Sequence, residues 1–203
     1  MKLKPNPQKV FQIFDKNYKL VPLEIFGSNP YKTLISTLLS ARTKDGVTFK
    51  ASRRLFVKAP NIINLNKLHL SEIRKLIYPV GFYKTKAMHL KKLAKIIIGD
   101  YNGKIPQTRE ILIKLPGVGR KTANIVLNRA FGIPAIAVDT HVHKISNLLG
   151  WVKTESPEKT EIELIKILPK KYWRDTNRLF VSIGQQFNSK VKLQNFLQKH
   201  QLI

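Results

Sequence analysis

The sequence predicts an all-α fold, and three observations carry that prediction. Apolar residues recur three and four apart, as in Leu34, Leu38 and Leu39 or Ile162, Ile165 and Leu168, which gathers them on one face of a helix. Strict apolar–polar alternation, the mark of a half-buried strand, is scarce. Helix breakers fall at short intervals along the chain.

Taken in chain order, these breakers set the element boundaries. Asn29-Pro30 opens a helical pattern, Gly81 interrupts the next stretch, and Asn102-Gly103 with Pro106 ends it. Pro116-Gly117 is a tight turn, Gly132 with Pro134 a helix stop, and Pro157 and Pro169 mark two later boundaries. The spacing gives roughly nine or ten short helical segments. No fixed-period repeat and no low-complexity linker separates them, so composition alone does not divide the chain.

The 203 residues suffice for one large domain or two small ones with a sizeable core. Lys plus Arg number 37 against 12 Asp plus Glu, a formal charge of +25. Such a chain repels itself unless a polyanion shares its surface, and nucleic acid is the leading candidate. The positive charge concentrates in residues 81–130, where Asp100 and Glu110 are the only acids, whereas Glu155, Glu158, Glu161 and Glu163 crowd together. Apolar runs such as Ile133 to Val138 fall far short of the roughly 20 residues that span a bilayer. Met1 to Lys9 lead into no signal-like apolar region. A soluble, cytoplasmic chain is therefore expected. There is no cysteine, which excludes disulfides, thiolate nucleophiles and cysteine-bound metal.

The most informative stretch runs from Leu115 through Pro116, Gly117, Val118, Gly119, Arg120 and Lys121 to Thr122. It lies between the apolar pattern of Ile111, Leu112 and Leu115 and that of Ala123, Val126, Leu127 and Ala130. This reads as helix, hairpin, helix. Two glycines let the backbone turn sharply and approach a ligand, and the following helix start offers unpaired N–H groups and a positive dipole end to a phosphate. Lys121 stands in the first turn, with Asn124 and Asn128 continuing a polar stripe that faces away from the apolar one. The dipole, Arg120 and desolvation by a bound polyanion all favour a neutral amine there, and a neutral amine is a nucleophile toward a sugar carbon. The plainer alternative is a lysine that only contacts phosphate.

Eighteen residues on, Ile136-Ala137-Val138 leads to Asp139, followed by Thr140, His141, Val142 and His143. Asp139 suits a helix N-cap, and it also suits a carboxylate that stabilises positive charge on a sugar or relays a proton. Asp139, His141 and His143 alternate, which in a strand would suggest a metal site. A helix starting here splays the two histidines apart, so no metal is expected.

The hairpin through Asn128 and the Val138-Asp-Thr-His141 segment together resemble the helix–hairpin–helix DNA glycosylases, most closely endonuclease III. The likeness extends back through Leu38-Leu39-Ser40-Ala41 and Gly81-Phe82-Tyr83 and forward to Gly184. It implies two helical domains with duplex DNA in the groove between them, one of residues 23–133 and one of residues 1–22 plus 134–203. It implies Lys121 as nucleophile and Asp139 as its partner. Gly117, Val118, Gly119, Arg120, Thr122 and His141 are implied as DNA contacts, with Arg42 and Phe82 filling the gap left by a flipped base. Arg42 and Phe82 stand where the bacterial enzymes carry glutamine and leucine.

The implied activity is excision of oxidised pyrimidines from damaged double-stranded DNA followed by β-elimination at the abasic site, by a monomer working at the nucleoid. Glycosylases for uracil, mismatched thymine or 8-oxoguanine are the nearest alternatives, and a non-enzymatic binder of damaged DNA is the alternative from another class. The family's four-cysteine iron–sulfur loop would place ligands at Asn188 and on or near Asn195 and Gln198, so no cluster is expected. Phe187, Val191, Leu193, Phe196 and Leu197 suggest an ordinary packed helix in its place.

The charge generates a direct test. The logarithm of duplex affinity should fall linearly with the logarithm of salt concentration, with a slope of about −0.9 per phosphate neutralised. Fluorescence anisotropy across a salt series measures it. An affinity indifferent to salt would remove the proposed basic footprint.

Overall fold

Asparagine and serine caps, with proline behind them, fix where several helices begin. Asn6 accepts from the Gln8 N–H ahead of α1 (Pro7–Lys16), and Asn29 accepts from Lys32 ahead of α2 (Pro30–Ser40). Ser156 does the same for α10 (Pro157–Ile167). In each, proline occupies a first-turn position whose N–H has no helical partner. Other starts lie outside the breakers named above. α4 (Ile62–Lys67) begins at Asn61, α5 (Leu70–Ile77) at His69, and α12 (Lys190–Lys199) at Ser189. These unflagged starts explain why there are more helices than the nine or ten segments expected.

The computed structural model describes residues 4–203, and all regular structure among them is helical: twelve α-helices and two short 3-10 helices. The chain divides into two compact units. The central unit is Pro22–Ile133, and the terminal unit joins the stretch ending at Val21 to Pro134–Ile203.

In the central unit, α2 is buried from Thr33 to Leu39 and packs against α3 (Asp45–Lys58), α6 (Tyr83–Tyr101) and α8 (Arg120–Phe131). Leu34, Ile35, Leu39, Leu55, Leu65, Ile73, Ile77, Leu90, Leu93 and Ile97 are fully buried and form its core. The short helix α7 (Arg109–Leu112) precedes the hairpin. Asn124 and Asn128, on the polar stripe that faces away from the apolar one, are themselves buried, as are Ala123, Ile125, Val126 and Leu127 between and beside them. Along this stretch α8 is covered around its whole circumference.

The terminal unit is built on α11 (Trp173–Gln186), against which α1 and α9 (Thr140–Leu148) pack. Its core is aromatic: Phe14 meets Phe180 edge-on at 5.0 Å, and Phe11 stacks on Tyr172 at 4.4 Å. Val10, Phe11 and Phe14 of α1 share this core with Leu193, Phe196 and Leu197 of α12, so both ends of the chain close one cluster. Two periodicity readings are corrected. Ile162 is 48% exposed and Val191 64% exposed. On α10 Thr160 and Leu164 are buried, followed by Leu168 at the C-cap, because a step of three drifts about 60° from a helix face and a step of four only about 40°.

Gly184 sets the approach of α9 to α11. A Cβ built there would lie 2.9 Å from the His141 Cβ and 2.7 Å from its Cγ, so the imidazole of α9 fits only against a bare helix backbone. Gly184→Ala should therefore lower unfolding free energy by about 1–3 kcal/mol by overpacking. Urea denaturation measures it. A gain in stability, from alanine's better helix propensity, would show that the contact yields.

Candidate functional site

The hairpin begins where α7 runs out. Leu112, Leu115 and Val118 are buried and anchor it, and the Val118 N–H donates to the Leu115 carbonyl at 3.1 Å to close the turn. Gly117 takes a φ of +79°, and a Cβ there would lie 2.6 Å from His89 Nδ1, so both backbone and space require glycine. Gly119 differs. Its φ of −95° is open to any residue, and a Cβ there would meet nothing within 4 Å. What glycine provides at 119 is clear access from outside to the start of α8.

That start has no side-chain cap. Gly119, Arg120 and Lys121 are exposed and Thr122 is half-buried, so the first turn presents N–H groups and cations together. Val118 was expected to contact DNA; its side chain is buried, which leaves only its backbone for that role. α8 is held in place by its packing on α2 and by the Arg129–Glu24 ion pair at 3.6 Å. Lys121 therefore projects from a fixed helix end.

Asp139 lies in the terminal unit, at the start of α9. Ile136, Ala137 and Val138 are buried on the approach, and Asn177 of α11 donates to the Ala137 carbonyl at 2.9 Å. The Asp139 carboxylate caps α9, its Oδ1 accepting from the N–H groups of His141 and Val142, both at 2.9 Å. The cap fixes the carboxylate, so cap and chemical roles are compatible. His141 rests on Gly184 of α11, whereas His143 Nδ1 meets Thr160 Oγ1 of α10 at 2.6 Å. The alternation in the sequence thus diverges on the helix. Among the described residues no group of three His, Cys, Asp or Glu side chains is placed to hold a metal ion.

Arg42 and Phe82 come together in the central unit. Both are non-glycine residues in the left-handed region, with φ of 51° and 56°. Phe82 is 63% exposed, so its ring is not part of the core, and the Arg42 guanidinium carbon lies 5.7 Å from its centre. Gly81 lets the two loops meet: its N–H donates to Thr43 Oγ1 at 3.1 Å, and a Cβ would come within 2.5 Å of the Arg42 carbonyl oxygen. Beneath them Lys86 of α6 is buried, donating to the carbonyls of Leu39 at 2.8 Å and Ala41 at 2.6 Å and to Thr43 Oγ1 at 3.2 Å. Burial pushes its ammonium down to about 8. Sequence reasoning missed Lys86, because one lysine in a basic, lysine-rich helix carries no distinguishing signal.

At the C-terminus the donor chemistry of an iron–sulfur cluster is missing. The chain has no thiolate, and Asn188, Asn195 and Gln198 are exposed amides. Phe187, at the C-terminal end of α11, stacks on Phe196 of α12 at 4.3 Å. The residues present do not fit the cluster. Among the described residues no helix is long and apolar enough to cross a membrane.

The profile of the HhH-GPD superfamily base excision DNA repair proteins matches residues 35–170. Endonuclease III of Thermotoga maritima is 44% identical over 179 residues, 88% of this chain and 81% of that one. The chain belongs to the endonuclease III family. A solved non-covalent endonuclease III–DNA complex superposes with a TM-score of 0.81 at 36% identity, covering 94% of this chain and 89% of that one. A trapped endonuclease III–DNA covalent intermediate gives 0.78 at 36% identity over 93% and 89%. As a member of the endonuclease III family the chain is a base-excision DNA glycosylase and abasic-site lyase, and it binds DNA.

Lys86 gives the fold a pH signature. Its folded ammonium is a weaker base than the unfolded one, so between about 8 and 10.5 the unfolded chain holds more protons. Stability at this site then rises with pH across that window. Wild type should gain stability relative to Lys86→Met between those limits in urea titrations. Parallel curves for the two proteins would mean that the ammonium is not desolvated.

Proposed function

We propose that this chain excises oxidised pyrimidines from damaged duplex DNA and then nicks the strand, with Lys121 as nucleophile and Asp139 as its carboxylate partner. One observation carries the reading: an exposed lysine in the open first turn of α8, immediately beyond Gly119, in a family whose solved members include a trapped covalent DNA intermediate. The anion-binding helix start takes the phosphate backbone, Arg42 and Phe82 occupy the stack that the flipped nucleotide leaves, and the two units carry the two reacting groups. The enzyme acts as a monomer at the cytoplasmic nucleoid.

The chemistry balances without a metal or cofactor. The Lys121 amine attacks C1′ as the glycosidic bond breaks, and the base leaves with the bonding pair and takes up a proton. The sugar ring opens to a Schiff base on Lys121. Loss of a proton from C2′ then expels the 3′ phosphate, and water releases the lysine. Positive charge builds on the sugar as the base departs, so a fixed carboxylate stabilises the transition state more than the ground state. The two N–H bonds to Oδ1 hold Asp139 for that purpose.

Two variants separate the roles. Lys121→Ala should form no borohydride-stable adduct with abasic DNA; an adduct at wild-type yield would name another amine. Asp139→Asn keeps a side-chain oxygen for the cap, so unfolding free energy should change by less than about 1 kcal/mol. Its turnover should fall on the order of 100-fold. Full activity would leave Asp139 as a cap only.

A further inference from the structure

A wedge that enters a base stack must be rigid, because loop motion spends the energy that unstacking requires. The Arg42–Phe82 pair sits on two separate loops, one leaving α2 and one entering α6, and neither loop has regular structure of its own. Both residues are held in left-handed conformations that side chains rarely adopt, at a cost on the order of 1–2 kcal/mol each, so something beneath them must fix the backbone.

Lys86 is placed to do so. It follows Phe82 by one helical turn, and its own N–H donates to the Phe82 carbonyl at 3.0 Å. Its side chain turns inward, and the three N–H donors of the ammonium find three oxygens: Leu39 and Ala41 carbonyls at the C-terminal end of α2, and Thr43 Oγ1. The α2 carbonyls at that end lack helical partners and carry the negative end of the dipole, so a cation is the favoured occupant. Thr43 Oγ1 also accepts from Gly81 and lies 3.2 Å from the Ala41 carbonyl oxygen, to which it donates. A single tetrahedral centre thus ties the Ala41 carbonyl and the Thr43 hydroxyl, on either side of Arg42, to one another, and through that hydroxyl to Gly81, the residue before Phe82. Arginine cannot replace it, since a planar fork does not match three convergent oxygens.

We propose that Lys86 is a positioning residue for base eversion, whose ammonium locks the 41–43 loop to the 81–82 turn and so presents Arg42 and Phe82 as one rigid wedge. The proposal rests on the wedge reading of those two residues, and the test separates the two.

The probe is a duplex carrying a tetrahydrofuran abasic analogue with 2-aminopurine opposite it, bound at saturating protein. Wild type should raise 2-aminopurine emission by unstacking that base, and Phe82→Ala should lose the rise. If Phe82→Ala keeps it, the wedge reading fails whatever Lys86 does. If Phe82→Ala loses it, Lys86→Met should lose most of it as well, and single-turnover excision from duplex should slow on the order of 10-fold. Borohydride trapping on a single-stranded abasic oligonucleotide, where no stack is filled, is the comparison. The duplex signal should fall relative to it, whereas general damage to the fold lowers both alike. Lys86→Met with the full wild-type rise overturns the proposal, as does a loss shared equally by both substrates. Should Lys86→Met not fold, Thr43→Val removes one acceptor and the Gly81 contact together. It should show a reduced rise, and a folded Thr43→Val with the full rise overturns the proposal.

Discussion

Every α-helix begins with N–H groups that its own ladder cannot satisfy, and this chain resolves that constraint in opposite ways at its two key helices. At α9 the Asp139 carboxylate takes two of them internally. At α8 the cap position is glycine, with no side chain to offer and open space where one would be. One helix start is capped by a carboxylate of its own N-cap residue, and the other begins at a residue with no side chain to cap it. A formal charge of +25 makes the second arrangement consistent with the molecule as a whole. The carboxylate and the amine to which we assign the chemistry both stand at helix starts, where this backbone rule applies.

The supporting parts follow from where each unit keeps its core. Lys121 is steady because α8 is covered on all sides from Ala123 to Asn128. Asp139 is steady because an aromatic core, Asn177 and the bare backbone of Gly184 fix the chain before and after it. Arg42 and Phe82 have no such cover, and their order comes from buried polar contacts at Lys86, Thr43 and Gly81.

What could be read from the residues, and what could not, divides along physical lines. The all-helical class, the hairpin and the capping role of Asp139 were legible because proline, glycine and short polar caps act locally. The exposed Phe82 was legible only through resemblance, since an aromatic ring after glycine suits a core equally well. The burial of Asn124 and Asn128 was not legible, because burial is decided by what packs on a helix from elsewhere in the chain. Ile162 and Val191 misled because short apolar spacings fit more than one face. Lys86 was invisible: its partners lie more than forty residues away in sequence, and nothing local distinguishes it from Lys84.

The C-terminal closure has a chemical corollary. Where relatives in this family would use thiolates around iron, this chain uses Phe187 stacked on Phe196 and a helix seated by Leu193 and Leu197. Thiolates are oxidised stepwise toward products that no longer bind metal, and aliphatic and phenyl side chains offer no such foothold. In this segment the packing rests on side chains with no thiolate to enter that sequence of oxidations.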